Sequence, residues 1–197
     1  MQKLQLGAFD QGLENWVNTD ITPHLFVAKV RGFALLLRKV GLLSEHRYGQ
    51  HRAGIFARLR YVNVARKFRF PNEAFDYVYS SHMLEHLHPN EARFCLREVH
   101  RILKPGGVLR IAVPDLDKII KKYVPEHPEA FLEEFFELNQ RWAKNMHHWH
   151  YNEFSLRKSL EDAGFQKIMR ETFRRGRCPD LDRIERREDS LFVEAVR

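Results

Sequence analysis

A chain of 197 residues, 44% hydrophobic and 30% charged, has the make-up of one globular domain with a substantial core, which excludes a disordered or fibrous protein. Two cysteines, Cys95 and Cys178, are too few for a disulfide framework, so a reducing cytoplasm is expected, and with strand-like residues 2–6 directly after Met1 no secretory signal is expected. The net charge of +7 is concentrated in residues 1–70, where twelve Lys or Arg face four Asp or Glu; that excess suits phosphate-bearing partners or an anionic surface, and equally plain solubility.

In chain order, residues 3–6 read as a short strand that must turn at Gly7, and residues 16–21 as a second strand reaching Asp20 and Ile21. Residues 26–43 are rich in large apolar side chains but carry Lys29, Arg31, Arg38 and Lys39, too many charges for a bilayer span. They predict a helix that buries most of its surface in the core, in a homodimer contact or at a membrane surface. A second helix is expected over 44–58, so residues 24–58 form a helical cover, and residues 59–64 are a third strand. Residues 75–79 alternate apolar and aromatic side chains and predict a buried strand ending at Ser80 and Ser81. Pro89 opens a helix in which Ala92, Leu96, Val99, Ile102 and Leu103 recur at helical spacing, stopped by Pro105-Gly106-Gly107 before a strand over 108–113. Helices follow over 115–123, with Asp115 as its cap, over 126–145, with Phe131, Leu132, Phe135, Phe136 and Leu138 as its apolar positions, and over 155–163, stopped by Gly164. Residues 166–173 and 190–196 are the last strands, joined by a polar, Arg-rich loop over 174–189.

The strand, helix and strand of residues 75–113 make a βαβ unit, hence a parallel sheet with a right-handed crossover. Ligands of such sheets sit beyond the carboxyl ends of the strands, here residues 80–86 and 114–115. The segments FDYVYSSHMLEHL and LREVHRILKPGGVLRIAVPD resemble the middle of a class I S-adenosylmethionine-dependent methyltransferase of the small type 11 group, with LQLGAFDQGLENWVNTDI resembling its cofactor-binding start and HWHYNEFSLRKSLEDAGF its late helix. The resemblance covers nearly the whole chain. It implies an α/β fold of three Rossmann-like layers, with a mostly parallel sheet and one antiparallel C-terminal strand, in a single domain.

It also implies S-adenosylmethionine as cofactor, held by Gly7, Ala8 and Phe9 at the first turn, by Asp20 and Ile21 at the ribose, by Asn63 and Val64 at the adenine, and by Ser80 and Ser81 at the methionine portion. The start departs from the pattern. Of three glycines spaced two apart only Gly7 is present, with Phe9 and Gln11 in the other places and Gly12 outside the frame. Asp20 follows Gly7 by thirteen positions, against roughly twenty in a dinucleotide fingerprint, so the helix between the first two strands is reduced or absent. Phe9 either crowds or stacks on the cofactor, Gly7 and Gly12 also serve simple turns, and Asn63 also serves as a cap. A noncatalytic methyltransferase-like binding module therefore stands beside the enzyme.

His82, Glu85 and His86 follow the fourth strand and are the candidates for a general base, His86 first, because imidazole titrates near neutral pH. The same pattern, His82-Met83-Leu84-Glu85-His86, matches an inverted zincin, but it lies in a turn after a strand rather than on a helix, and no metal is assigned to it. His148 and His150 are candidates for the acceptor side, and His147 belongs to the same cluster. The family is often found with polysaccharide or glycolipid assembly, so the expected acceptor is a sugar hydroxyl or other small molecule, and nucleic acid is not expected as a partner.

Overall fold

The computed structural model describes residues 1–136 and 146–197. Seven strands form one sheet: β1 Lys3–Leu6, β2 Val17–Asp20, β3 Arg60–Tyr61, β4 Phe75–Ser81, β5 Leu103–Val113, β6 Gln166–Glu171 and β7 Leu191–Val196. Their spatial order is β3-β2-β1-β4-β5-β7-β6. All neighbours pair in parallel except β7, which runs antiparallel to both β5 and β6, as the resemblance implied. β1 and β4 are adjacent and the chain leaves them in opposite directions, so their carboxyl ends flank the crevice where such sheets bind ligands.

The central βαβ unit forms because its apolar spacing is regular and its ends are punctuated. Helix α4, Pro89–Ile102, starts at a proline, its Glu91 carboxylate accepts the His88 N–H at 3.0 Å, and it buries Ala92, Cys95, Leu96, Val99 and Ile102. With helix α7, Glu153–Asp162, it covers one face of the sheet and closes the main core around Leu4, Val78, Leu109, Ile111 and Val193. Each such side chain contributes about 1.5–3 kcal/mol on burial. β5 begins at Leu103 rather than Val108: Phe75 pairs with Leu103 and Tyr77 with Val108, so Pro105-Gly106-Gly107 is a bulge inside the strand.

The opposite face is covered differently. No helix lies between β1 and β2, matching the short spacing. Its place is filled from the far end of the sequence by Cys178 and the single turn α8, Leu181–Ile184, which pack on Trp16 and Tyr79. The expected polar loop over 174–189 is therefore corrected: it holds three buried apolar side chains at threefold spacing.

The helical cover is also corrected. In place of one helix over 26–43 there are α1, His24–Lys29, and α2, Phe33–Lys39, broken at Gly32, whose φ of 80° is left-handed; α3, Glu45–Arg52, and a 3-10 turn at Phe56–Arg58 follow. Burial in the core of this chain is absent: α2 buries no residue, and Phe26, Val30, Leu36, Val40 and Leu42 are each more than half exposed. Leu25, Phe56 and Leu59 anchor this cover against Ala8, and Arg47 pairs with Asp10 at 2.7 Å. The third strand shrinks to Arg60–Tyr61. After β5 come α5, Leu116–Ile120, with Asp115 accepting the Asp117 N–H, and α6, Glu129–Phe135, whose expected continuation through Leu138 lies outside the described residues. No helix of the described residues is long and apolar enough to cross a membrane.

Candidate active site

At the end of β1 the chain reverses within three residues. Gly7 has φ 66°, and a Cβ there would stand 3.0 Å from the Met83 side chain, so glycine is required both by conformation and by close approach. The Ala8 N–H donates to the Thr19 carbonyl at 2.9 Å and the Phe9 N–H to Asp20 Oδ2 at 3.0 Å. Asp20 Oδ1 accepts the Thr22 N–H at 2.7 Å, so one carboxylate ties the first turn to the end of β2, and its burial raises its pKa. Phe9 carries a left-handed φ of 43° and packs between the Phe56 ring, 5.8 Å away, and the Arg47 guanidinium, 4.5 Å away. It is held by the helical cover while one side still faces the crevice.

That crevice is a cavity of about 310 Å³ lined by Gln5, Gly7, Phe9, Ser81, His82 and Arg187, among others. Gln5 Oε1 is buried there with no hydrogen bond among the described residues. A second cavity of about 220 Å³ lies beyond the ends of β4 and β5, lined by His82, Lys118, Lys122, His147, Arg187 and Ser190, among others. His82 and Arg187 line both, so they form the wall between them. His82 is held there in a left-handed conformation, φ 48°, its Nε2 2.8 Å from Ser190 Oγ and its Nδ1 3.2 Å from Glu85 Oε1.

Glu85 is fully buried, in the 3-10 turn Leu84–His86. His86 Nδ1 lies 3.3 Å from the Met146 carbonyl oxygen and lines neither cavity. His147 Nε2 is 3.8 Å from Glu85 Oε1; burial first, and then the neighbouring imidazoles, push its pKa down to about 4 against the opposing pull of Glu85. His148 stacks on His88 at 4.1 Å, and His150 stacks on Phe135 at 4.4 Å with its Nε2 3.0 Å from the Phe135 carbonyl oxygen, so the three histidines take three different directions.

Of the expected cofactor residues, Gly7, Phe9 and Ser81 line the crevice, and Ala8 and Asp20 lie directly behind the turn. Ser80 points to the opposite, buried side with Oγ unbonded among the described residues. Ile21 is 57% exposed, and Asn63 Oδ1 accepts the Ala65 N–H at 3.0 Å as a turn cap, with Val64 packed on the main core. Asp115 is capped into α5 and paired with Arg170 at 3.2 Å. Sequence reasoning missed Gln5, Arg187, Lys118, Lys122 and Ser190; the only local signal for any of them was the arginine-rich run before β7.

The strand order, the glycine turn at β1 and the crevice shared by β1 and β4 define a class I methyltransferase fold. A methyltransferase-domain family model matches residues 24–169, most of the chain, beginning after the Gly7 turn and Asp20. Among solved structures, the chain is similar to an S-adenosylmethionine-dependent methyltransferase from Thermotoga maritima (TM-score 0.57, 14% identity, covering 99% of this chain and 81% of that one). It is similar also to one from Archaeoglobus fulgidus (TM-score 0.57, 15% identity, 100% and 86%) and one from Mesorhizobium loti (TM-score 0.55, 18% identity, 100% and 90%). No curated protein matches the sequence. The chain belongs to the methyltransferase-domain family, enzymes whose methyl donor is S-adenosylmethionine.

The residues present fit that cofactor. Its amino-acid end requires cations and hydrogen-bonding groups, and the 310 Å³ crevice offers Arg187, Ser81 and the unpaired, buried Gln5 Oε1 beside a glycine turn.

Proposed function

We propose that the chain methylates a hydroxyl of a small polar acceptor, a sugar or glycolipid before others, in the cytoplasm, where its two buried free thiols stay reduced. The observation that carries this reading is His82 in the wall between the two cavities. When bound, the sulfonium cofactor supplies an already activated methyl group. The chain must then hold the acceptor in line, exclude water and take up one proton. Ser190 Oγ, 2.8 Å from His82 Nε2, marks where a hydroxyl is held at that nitrogen, and the Glu85 carboxylate at Nδ1 stabilises the imidazolium formed when the hydroxyl proton moves to Nε2. The proposed base thus shifts from His86 to His82, with Glu85 as its positioning partner. Lys118 and Arg187 suit an acceptor carrying phosphate, as sugar nucleotides and lipid-linked sugars do, while Lys122 is paired with Glu134 at 2.7 Å in the same cavity.

Gly7, Ala8, Phe9 and Asp20 frame the first turn, Ser81 the methionine end, and Asn63, Val64 and Ile21 are assigned to the adenosine side with Ser80 behind β4. The whole chain acts as one catalytic domain, and the apolar strip of α1 and α2, flanked by Lys29, Arg31, Arg38 and Lys39, is the surface proposed to meet a membrane that carries such an acceptor. Incubation with labelled S-adenosylmethionine and a panel of sugar nucleotides and lipid-linked sugars tests the reading. His82→Gln is expected to lower turnover by about 10²–10⁴ while cofactor affinity holds. Wild-type turnover in that variant would remove His82 from the chemistry.

A further inference from the structure

Glu85 is 0% exposed, yet neither of its carboxylate oxygens accepts a hydrogen bond among the described residues. A buried carboxylate is costly unless a cation faces it. The surroundings are imidazoles. One ligand atom each of Glu85, His86 and His147 lies within 4.8 Å of the others, and Glu85 Oε1 is 3.8 Å from His147 Nε2. The convergence is built by the backbone: the His148 N–H at 2.8 Å and the Trp149 N–H at 3.1 Å both donate to the Glu85 carbonyl, which docks residues 147–149 against the 3-10 turn. The Met146 carbonyl, 3.3 Å from His86 Nδ1, occupies one nitrogen of that ring and leaves the other for a ligand bond.

We infer that Glu85, His86 and His147 form a binding site for a divalent transition-metal ion of the zinc type. Two imidazoles and a carboxylate are a donor set that zinc, cobalt and nickel favour over magnesium or calcium. Bonds of about 2.1 Å place tetrahedral donors ~3.4 Å apart, so the cluster needs only a small inward rotation of side chains to close on an ion. Three protein ligands leave a fourth position open. His147 also lines the 220 Å³ cavity, which gives that position access to the acceptor side, and His82, 3.2 Å from Glu85 Oε1, orients the carboxylate from the other flank. The pattern His82-Met83-Leu84-Glu85-His86 thus contributes two ligands from a turn instead of a helix, and the third arrives from a distant segment. This inference does not depend on the choice of acceptor; it shares Glu85 with the proposed base His82, so its test reads metal binding rather than turnover.

The test uses the full chain without a polyhistidine tag, stripped with a chelator and titrated with Zn²⁺, then with Co²⁺ as a spectroscopic substitute. One equivalent of zinc is expected, Co²⁺ is expected to show the visible d–d bands of a four-coordinate site, and Glu85→Gln and His86→Ala are each expected to lower zinc affinity by about 100-fold or more. His24→Ala is expected to leave binding unchanged; it removes the other close imidazole pair, in which His24 Nδ1 and His51 Nε2 are 3.0 Å apart. Absence of stoichiometric zinc, affinity unaltered in both Glu85→Gln and His86→Ala, or binding abolished by His24→Ala would each overturn the assignment. Circular dichroism of the variants keeps loss of the site distinct from loss of the fold.

Discussion

The two faces of the sheet are covered on different physical terms. Under α4 and α7, Leu4, Val78, Leu109 and Ile111 meet Leu96, Ile102, Leu156 and Leu160 in a continuous apolar layer held by area, with little demand on direction. On the other face the strands present Tyr79, Arg110 and Glu194, and their cover is a loop that carries only the single turn α8. Arg110 is 0% exposed, donates from Nε to Glu185 at 2.8 Å and from its two Nη to the carbonyls of Arg175 at 2.9 Å and Thr172 at 3.0 Å, and lies over the Phe192 ring at 4.9 Å. Glu194 accepts the N–H groups of Arg177 at 2.8 Å and Cys178 at 2.9 Å. These bonds are directional, so they fix where residues 172–190 lie, and this segment carries Arg187 and Ser190 to the cavities. One face stores stability; the other positions the site.

Breaking each face separately sharpens this contrast. Glu185→Ala leaves a buried guanidinium without its main partner, an expected loss of about 3–5 kcal/mol in urea unfolding, with acceptor affinity falling as the loop is released. The double replacement Arg110→Met with Glu185→Leu is expected to restore much of the stability and little of the affinity. Leu160→Ala on the apolar face is expected to cost about 2–4 kcal/mol by the same measurement, with acceptor affinity unchanged, because the cavity it opens lies across the sheet from the site.

The smallest expected effect is at Asp180, which accepts from Lys3 Nζ at 2.6 Å and Trp16 Nε1 at 3.0 Å and so ties α8 to β1. Asp180→Asn keeps the left-handed backbone, φ 60°, and is expected to cost about 1 kcal/mol. The Lys3 and Trp16 bonds hold the Asp180 carboxyl below its usual value, so its contribution is present above the unfolded pKa of about 3.9 and is lost as pH falls through the depressed folded value. The stability difference between wild type and Asp180→Asn should therefore be constant from neutral pH to about 5 and shrink at lower pH in urea titrations.

The apolar face was legible because its information is local. Ala92, Leu96, Val99 and Ile102 repeat at helical spacing, Pro89 starts the helix, and Gly164 ends the later one, so periodicity and punctuation agree. The polar face was not. Arg110 and Glu194 look like solvent-side strand residues, and only their tertiary partners make them core; Cys178, Leu181 and Ile184 carry a threefold spacing hidden in a run of arginines. The break at Gly32 was visible as a glycine, but an apolar stretch predicts burial only when something covers it, and nothing in residues 26–43 says what does. At the site, the residues after β4 were found because a strand end in a βαβ unit is a geometric landmark. His147 stood out in its histidine cluster, but its approach to Glu85, like that of Ser190 to His82, was beyond reach, since each is a long-range contact.

The position of β7 carries a consequence for how the chain folds. It follows every other strand in sequence yet sits between β5 and β6, pairing with β5 from Val108 to Val113 and with β6 from Gln166 to Glu171. Until residues 191–196 are in place, β6 has no partner and β5 exposes an unpaired edge of apolar residues, a template for intermolecular pairing. A growing or truncated chain that stops short of Leu191 would hold a completed parallel half and a loose remainder. Such pairing across long sequence separation is slow to form, and the interval before it closes is when this protein most needs protection from self-association.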